Sequence, residues 1–393
     1  MISARDPMAQ AVTLIHGFTS RPRVLVAEDQ EDVIAALRLL LKNNGYDVDF
    51  VKSPAEALQA LALGGFDAVL LDLNYTRDTT SGTEGLELLS RVQALDDTLA
   101  VVAMTAWGSV ELAVKAMHRG ACDFVQKPWD NAHLLEVLEE QLTRSRTLRQ
   151  KRFREQLEQQ EAAQIQRALM PGEIAAYHGL TIAASSQSAR TVGGDYYDVL
   201  RLDEHRSAVC IADVVGKGMA AALLMSNLQA AVRMISAEAA EPASVCERLN
   251  RVVFANNVPG KFITFFYCVI DPVSRVLTYT NAGHNWPVLA HADGSCTRLR
   301  TDDLVLGATR EWMYHQGQEQ LRPGDRLVLF TDGITESANE EGCEFGEDQL
   351  CRLVSVNVHR SASDLKARLT EELRAHSTSE LADDATLIVA ALD

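Results

Sequence analysis

The first third of the chain alternates short apolar runs with helix-forming segments, and this alternation limits the possible folds more than any other feature. Apolar runs lie at Arg23–Ala27 (RVLVA), 66–71 (FDAVLL) and 99–104 (LAVVAM). Each is short and continuous, as is typical of strands buried on both faces of a sheet. A helical pattern follows each run, and Gly45 ends the first helix. This repeat predicts an α/β domain with a doubly wound parallel sheet over residues 21–130.

Polar residues suited to phosphoryl chemistry follow the predicted strands. Glu28 and Asp29 follow the first strand, and Asp72 ends the run VLLD. Thr105 follows VVAM, and Lys127 follows DFVQ. The carboxyl ends of parallel strands share one edge of the sheet, so these side chains should converge. Any one acid alone is better explained as a helix cap or loop residue. Crowded together, they favour a Mg²⁺ site beside a carboxylate that can accept a phosphoryl group.

Residues 22–130 resemble the receiver domain of response regulators through these strand-end residues. The resemblance implies that Asp72 is the phosphoacceptor and that a histidine kinase is the phosphate donor. It implies one Mg²⁺, bound by Glu28, Asp29, Asp72 and the backbone carbonyl of Asn74. It also implies that Thr105 and Phe124 form the switch pair, and that Lys127 contacts the phosphoryl group.

The loop after the phosphoacceptor departs from the common receiver pattern. Thr76 stands where many receivers have proline, and the expected Gly85-Leu86 arrives five residues late. A similar longer loop occurs in some receivers of transcription activators. We therefore do not interpret it as inactivating, and its contacts stay open.

Residues 131–171 predict a long helical linker. The segment has little glycine or proline until Pro171-Gly172 ends it. Its apolar positions, among them Leu148, Leu157 and Ile165, do not keep a strict heptad. Two interpretations remain, a parallel coiled coil that forms a homodimer and a single solvated helix between domains. Such a segment would extend roughly 55 Å at about 1.5 Å per residue.

Residues 172–393 combine short strands with interleaved helices, which predicts an α+β layered sandwich. Acids stand at the strand edges. Asp195 follows two glycines, Asp213 ends the strand SAVCIADV, Asp332 follows LVLFT, and Asp383-Asp384 precede the last strand. A lone Asp-Gly usually marks a turn. Four such clusters with almost no histidine favour Mg²⁺ or Mn²⁺. Two ions ~3.5–4 Å apart can share an activated water.

The motif order RTVGGDYYD, ADVVGKGMAAALLM, FITFF, NAGHNWP, LVLFTDGITES and DDATL resembles PP2C-type phosphatases of the bacterial stress- and sporulation-regulator class. The resemblance covers about residues 165–393 and implies an αββα sandwich with two Mn²⁺ or Mg²⁺ ions. It implies metal binding by Asp195, Asp213, Asp332, Asp383 and the carbonyl of Val214, and substrate-phosphate binding by Arg190. Asp384 stands where relatives often have asparagine, so either Asp383 or Asp384 could bind the metal. We expect His284 to be a structural turn residue rather than a general acid.

Composition restricts the cellular setting. A net charge of −17 argues against nucleic-acid binding, which requires a basic surface. No helix-turn-helix pattern with a basic face follows the receiver segment. The seven cysteines include no Cys-x-x-Cys pair, and residues 1–20 lack a basic segment leading into an apolar run. No apolar run approaches the ~20 residues of a membrane span. We expect a cytoplasmic protein with a flexible 1–20 tail and no membrane partner.

These observations predict a two-component response regulator with a metal-dependent serine/threonine protein phosphatase as output. The predicted domains are a receiver at 21–130, a linker at 131–171 and a phosphatase at 172–393, with activity controlled at Asp72. The resemblance implies a phosphorylated anti-sigma antagonist of the STAS type as substrate. The alternative is a pseudophosphatase adaptor that binds a partner or sigma factor without catalysis. Adaptors of that architecture tend to have lost metal acids, and here every expected acid is present.

Overall fold

The computed structural model describes residues 21–75, 82–105, 110–172, 174, 179–239, 241–256, 260–377 and 381–392. Thr76 and the predicted 1–20 tail lie outside these residues. The contacts divide the chain into two compact units, residues 1–156 and 157–393. The boundary falls within a long helix.

The first unit is built on a parallel sheet, as the sequence predicts. Its elements are β1 (Arg23–Ala27), α1 (Glu31–Asn43), β2 (Asp47–Val51), α2 (Pro54–Leu63), β3 (Ala68–Asp72), α3 (Thr83–Leu95), β4 (Ala100–Thr105), α4 (Val110–His118) and β5 (Asp123–Gln126). The strand order is β2-β1-β3-β4-β5, with every pairing parallel. Strands β3 and β4 are buried along their whole length because apolar clusters cover both faces of the sheet. This confirms the doubly wound fold.

One strand was not among the predicted runs. Strand β2 (DVDFV) lies at the edge of the sheet and is only half-buried, so its aspartates can reach water. An edge strand needs no continuous apolar run, and this is why its sequence gives a weaker signal.

The long helix α5 extends over 39 residues, Asn131–Leu169. At about 1.5 Å per residue this length corresponds to roughly 58 Å. Its first turns pack into the core of the first unit through Leu134, Val137, Leu138 and Leu142. Further along, Arg149 forms an ion pair with Asp96 at 2.9 Å. Leu148, Leu157 and Ile165 remain exposed. Dimerisation through this helix stays a prediction.

The second unit contains two antiparallel sheets between helix pairs. The elements that follow α5 are β6 (Leu180–Gln187), β7 (Tyr196–Arg201), β8 (Ser207–Val214), α6 (Met219–Glu238), α7 (Pro242–Asn256), β9 (Ile263–Asp271), β10 (Val276–Ala282), β11 (Val288–Ala290), β12 (Cys296–Arg298), β13 (Gly317–Gln320), β14 (Arg326–Phe330), α8 (Asp332–Thr335), α9 (Glu347–Val356), α10 (Ala362–His376) and β15 (Ala385–Leu392). The sheet orders are β13-β10-β9-β8-β7 and β12-β11-β14-β15-β6.

Three apolar layers hold this unit together and create the αββα sandwich. One layer packs α6 and α7 against the β7–β8–β9 face, a second fills the space between the sheets, and a third packs α9 and α10 against β14 and β15. The predicted α+β architecture is confirmed.

By length and composition alone, helix α6 could cross a membrane. Half of its apolar window is buried inside the fold, as in a core helix, so it is weak evidence for a span.

Candidate active site

The receiver acids meet at the carboxyl edge of the parallel sheet. Among the described residues, Glu28, Asp29 and Asp72 form a group whose ligand oxygens all lie within 4.8 Å of one another. Glu28 and Asp72 are buried, and the Lys127 ammonium group forms an ion pair with each of them. Its Nζ lies 2.5 Å from Glu28 Oε2 and 2.9 Å from Asp72 Oδ2. The convergence expected from the strand ends is present.

Burial makes it unfavourable for several carboxylates to be charged together in this receiver pocket. Desolvation raises the pKa of Glu28 above its ordinary value, and the Asp72 carboxylate raises it further. Desolvation also raises the pKa of Asp72, although Lys127 partly opposes the shift. One lysine cannot neutralise three acids, so a divalent cation fits the remaining negative charge. Asn74 is held beside the pocket because its backbone N–H donates to Asp72 Oδ1 at 3.1 Å.

The proposed switch residues lie on neighbouring strands. Thr105 is buried at the end of β4, whereas Phe124 on β5 is 40% exposed. In the β4–β5 register, Thr105 pairs with Gln126 and Phe124 pairs with Ala103. Phe124 is therefore partly exposed to solvent in this structure.

The phosphatase acids gather at one edge of the two antiparallel sheets. Asp195 immediately precedes β7 and Asp213 lies near the end of β8, and the Tyr196–Ala212 register places them side by side. Asp332 begins α8 directly after β14, and Asp383 precedes β15, which pairs with β14. Four chain segments that are distant in sequence thus supply the acids.

Asp195 is the most enclosed of these acids. It is 4% exposed, and its Oδ2 accepts hydrogen bonds from Thr331 Oγ1 at 2.8 Å and from Thr386 Oγ1 at 2.6 Å. Its Oδ1 is buried and has no hydrogen-bond partner within the described part of the chain. Burial raises the pKa of Asp195 well above its ordinary value. A buried carboxylate oxygen without a donor fits a metal ligand, because a cation would supply the missing interaction.

Like charges crowd the rest of this pocket. Burial raises the pKa of Asp213 to about 7, with Asp332 and Asp383 adding to the shift. Burial and then Asp383 raise the pKa of Asp332. Among the described residues, no three of these acids bring ligand oxygens within 4.8 Å of one another.

Asp383 and Asp384 occupy different environments. Both oxygens of Asp384 accept backbone hydrogen bonds, Oδ1 from Ala189 at 2.8 Å and Oδ2 from Gly194 at 2.6 Å. The Asp383 side chain is 38% exposed and pairs with Lys217 Nζ at 3.0 Å. Asp384 thus holds the loop that leads to Asp195, whereas the Asp383 carboxylate keeps an exposed face.

Val214 and Arg190, two further residues that the sequence predicts for the site, lie beside the same loop. A Cβ on Gly194 would lie 2.8 Å from the carbonyl oxygen of Val214, so only glycine allows this approach. Arg190 is exposed and helps to line a cavity of about 360 Å³ together with Asp195, Arg167 and Tyr197. The cavity is large enough to admit a phosphorylated side chain beside Asp195.

His284 is a structural residue in this arrangement, as we expected. Its ring is buried, with Nδ1 2.8 Å from Thr264 Oγ1 and Nε2 3.1 Å from the carbonyl oxygen of Phe330. Burial lowers its pKa to about 4. The imidazole is therefore neutral near pH 7 and ties β9 to the end of β14.

Sequence reasoning missed three residues that support the site. Thr331 directly precedes Asp332 in LFTDG, and Thr386 lies two residues after Asp384 in DDAT, so this proximity was a usable signal. Gln166 lies on α5 and bonds to Gly193, 27 positions away. Nothing local in the sequence marks that contact.

Comparison with known proteins agrees with this architecture. Residues 24–139 match the response regulator receiver domain, and residues 203–393 match the family of stage II sporulation protein E, SpoIIE. The chain is 34% identical over 230 residues to phosphoserine phosphatase RsbU of Bacillus subtilis, covering 58% of this chain and 68% of that protein. The chain belongs to the RsbU and SpoIIE family of PP2C-type protein phosphatases. In this member a receiver domain precedes the phosphatase domain.

Two other relatives extend the comparison. Protein IcfG of Synechocystis is 27% identical over 261 residues, covering 59% of this chain and 41% of that protein. The SiaA-PP2C domain of Pseudomonas aeruginosa has a TM-score of 0.54 at 20% identity, covering 62% of this chain and 98% of that domain. The latter likeness shows the fold of the second unit.

Proposed function

We propose that this chain is a response regulator whose output is a metal-dependent phosphoserine and phosphothreonine protein phosphatase. The observation that carries the proposal is the acid site of the second unit, where Asp195 has a buried oxygen without a donor and lies beside Asp213 in the strand register. An adaptor without catalysis would have no need to keep four acids at such electrostatic cost. The phosphoserine phosphatase activity in the name of RsbU supports this choice of reaction.

The residues of the second unit divide the work of hydrolysis. Two Mn²⁺ or Mg²⁺ ions, when bound, supply a hydroxide able to attack a phosphomonoester. The ion ligands are Asp195, Asp213, Asp332, Asp383 and the carbonyl of Val214. Thr331 and Thr386 fix the orientation of the Asp195 carboxylate. Arg190 binds the substrate phosphate from the wall of the adjacent cavity.

The receiver supplies the control. Asp72 accepts a phosphoryl group from a histidine kinase, with Mg²⁺ bound by Glu28, Asp29, Asp72 and the Asn74 carbonyl. Thr105 and Lys127 hold the phosphoryl oxygens, and Phe124 turns inward as the switch. The close approach of Lys127 to Asp72 supports its part in this assignment.

The substrate is a phosphorylated anti-sigma antagonist of the STAS type, and the active form is a homodimer joined through α5. Exposed Leu148, Leu157 and Ile165 on that helix support an apolar dimer contact. The net charge of −17 supports a protein substrate over a nucleic acid.

The proposal is tested by metal-dependent hydrolysis. The purified chain should hydrolyse p-nitrophenyl phosphate and a phosphoserine protein with Mn²⁺ or Mg²⁺, and EDTA should abolish both activities. Asp213→Asn should lower the rate by about a hundredfold or more, because one of the acids that would hold the metal is lost. The matched control is Asp302→Asn, an exposed acid of the same unit, which should keep the wild-type rate. Full activity in EDTA, or partner binding without turnover, would contradict the proposal.

A further inference from the structure

Gln166 makes two hydrogen bonds to the backbone of a single residue, Gly193, in the loop that leads to Asp195. It lies in the last turn of α5 and is 9% exposed. Its Nε2 donates to the Gly193 carbonyl oxygen at 2.7 Å, and its Oε1 accepts from the Gly193 N–H at 3.1 Å. Both backbone groups of a buried glycine are thus satisfied by one side chain from another element.

Gly193 sits beside the metal acid. The next residue, Gly194, donates its N–H to Asp384 Oδ2, and Asp195 follows directly. A Cβ on Gly193 would overlap the Asp384 carboxylate, so the loop is confined between Asp384 and Gln166. The confined Gly193 backbone is only two residues from Asp195, so the position of one constrains the position of the other.

Other contacts fix the end of α5 independently of Gln166. The carbonyl oxygen of Leu169 accepts hydrogen bonds from Gln229 Nε2 at 3.1 Å and from Arg233 Nη2 at 3.3 Å. Ala163 packs in a small apolar cluster with Val192 and Ala222. The helix end would consequently keep its place without the Gln166 amide, and only the fixed link to the loop would be lost.

We propose that Gln166 is a positioning residue of the phosphatase metal centre, which makes the last turns of the linker helix part of the active site. The inference rests on the proposed function. Gln166 also borders the cavity beside Asp195, but its side-chain amide is bonded to the Gly193 backbone, through which it acts on the position of Asp195. Supporting contacts of this kind typically change metal affinity by about 10- to 100-fold.

The experiment compares Gln166→Leu, which keeps the volume but loses both hydrogen bonds, with Gln166→Glu, which keeps the acceptor and loses the donor. Gln164→Leu is the matched control, because Gln164 is exposed on the same helix. All variants carry Asp29→Asn, so that the receiver does not contribute metal binding. Mn²⁺ binding is measured by calorimetry, the half-saturating Mn²⁺ concentration by p-nitrophenyl phosphate hydrolysis, and folding by thermal unfolding.

We expect Gln166→Leu to weaken Mn²⁺ binding by about tenfold or more. Its rate at saturating Mn²⁺ should stay within about threefold of the parent, Gln166→Glu should be intermediate, and Gln164→Leu should match the parent. Unchanged Mn²⁺ binding in a folded Gln166→Leu chain overturns the inference, as does an equal loss in Gln164→Leu. If Gln166→Leu does not fold, Gln166→Glu decides, and parental Mn²⁺ affinity in that variant overturns the inference.

The two proposals fail in different ways. A parent chain that binds Mn²⁺ in a Gln166-dependent manner but hydrolyses no phosphomonoester contradicts the proposed function and upholds the positioning role. A parent that hydrolyses phosphomonoesters with Mn²⁺, and whose Gln166 variants bind Mn²⁺ normally, supports the proposed function and contradicts the positioning role.

Discussion

Asp195 and Asp384 show how hydrogen bonds assign different roles to neighbouring buried carboxylates. Two threonine hydroxyls occupy one oxygen of Asp195 and leave the other without a donor. Backbone N–H groups occupy both oxygens of Asp384. A carboxylate with every oxygen satisfied fixes a loop, whereas one with an open buried oxygen suits a cation.

At Asp72 we expect a single phosphorylation site. Acetyl phosphate with Mg²⁺ should add one base-labile phosphoryl group to the chain, and Asp72→Ala should reduce the labelling by about tenfold or more, because the carboxylate nucleophile is removed. Intact-mass spectrometry measures the product. Asp97→Ala, a change at an exposed acid of the same unit, is the control. Labelling that persists in Asp72→Ala would contradict the assignment.

His284 should make the second unit sensitive to acid. Its folded-state pKa of about 4 lies below the ordinary value of 6.5. The unfolded chain therefore binds the extra proton first, and stability falls as the pH drops from about 6.5 towards 4, by up to about 3 kcal/mol. His284→Gln should be less stable than wild type at pH 7.5 but should lose less stability on acidification.

Urea unfolding in EDTA at pH 7.5 and pH 5 measures this difference. His359→Gln serves as the control, because that histidine is exposed in the same unit. A His284→Gln chain with the wild-type pH dependence would show that another group causes the acid sensitivity.

At the scale of elements, Arg233 of α6 joins the end of α5 to strand β7. Its Nε donates to Asp198 Oδ2 at 2.7 Å, and its Nη2 reaches the Leu169 carbonyl. Asp198 is 1% exposed, so its charge depends on this partner and on the Tyr196 hydroxyl at 2.9 Å. Removing the cation that pairs with a buried acid strongly destabilises the fold, because the remaining charge is buried without a partner.

Arg233→Met should therefore destabilise the second unit by about 2 kcal/mol, a value below that of a fully buried pair because Arg233 is partly exposed. Differential scanning calorimetry measures the change. Arg251→Met on α7 is the control, since its ion pair with Glu247 is exposed and long at 4.0 Å, and it should cost less than about 0.5 kcal/mol. Equal losses in the two variants would show that Asp198 does not depend on Arg233.

At the scale of the whole molecule, phosphorylation of Asp72 should raise the phosphatase rate. A charge change in the receiver can affect a distant site only by shifting an element with two states, and α5 is the candidate because it contributes to both units. We expect a rise of about fivefold on the protein substrate, accompanied by dimerisation.

The measurement compares phosphorylated wild type, unphosphorylated wild type and Asp72→Ala, with light scattering on each sample. Equal rates in all three would exclude catalytic coupling. A rate change without dimerisation or rearrangement of α5 would leave coupling intact and exclude this helix as its route.

The sequence by itself determined the fold of both units and located the acids at the strand ends of each. Continuous apolar runs identified β1, β3 and β4, because burial on both faces permits almost nothing else. Acids at the strand ends predicted the receiver pocket, because parallel strands bring their carboxyl ends to one edge. In the second unit, acids such as Asp213 and Asp332 each stand at a strand end, where local pattern is sufficient to find them.

Only the tertiary structure decided which role each of several similar residues takes. Asp383 and Asp384 are adjacent in sequence and chemically identical, and they are distinguished by which backbone N–H groups reach them from residues 189 and 194. Gln166 resembles the other glutamines of α5 in sequence, and its role depends on the loop that packs against its last turn. Periodicity and local spacing report which side of an element faces the core. Hydrogen bonds between distant segments arise only when the sheets and helices have assembled, so no local pattern encodes them.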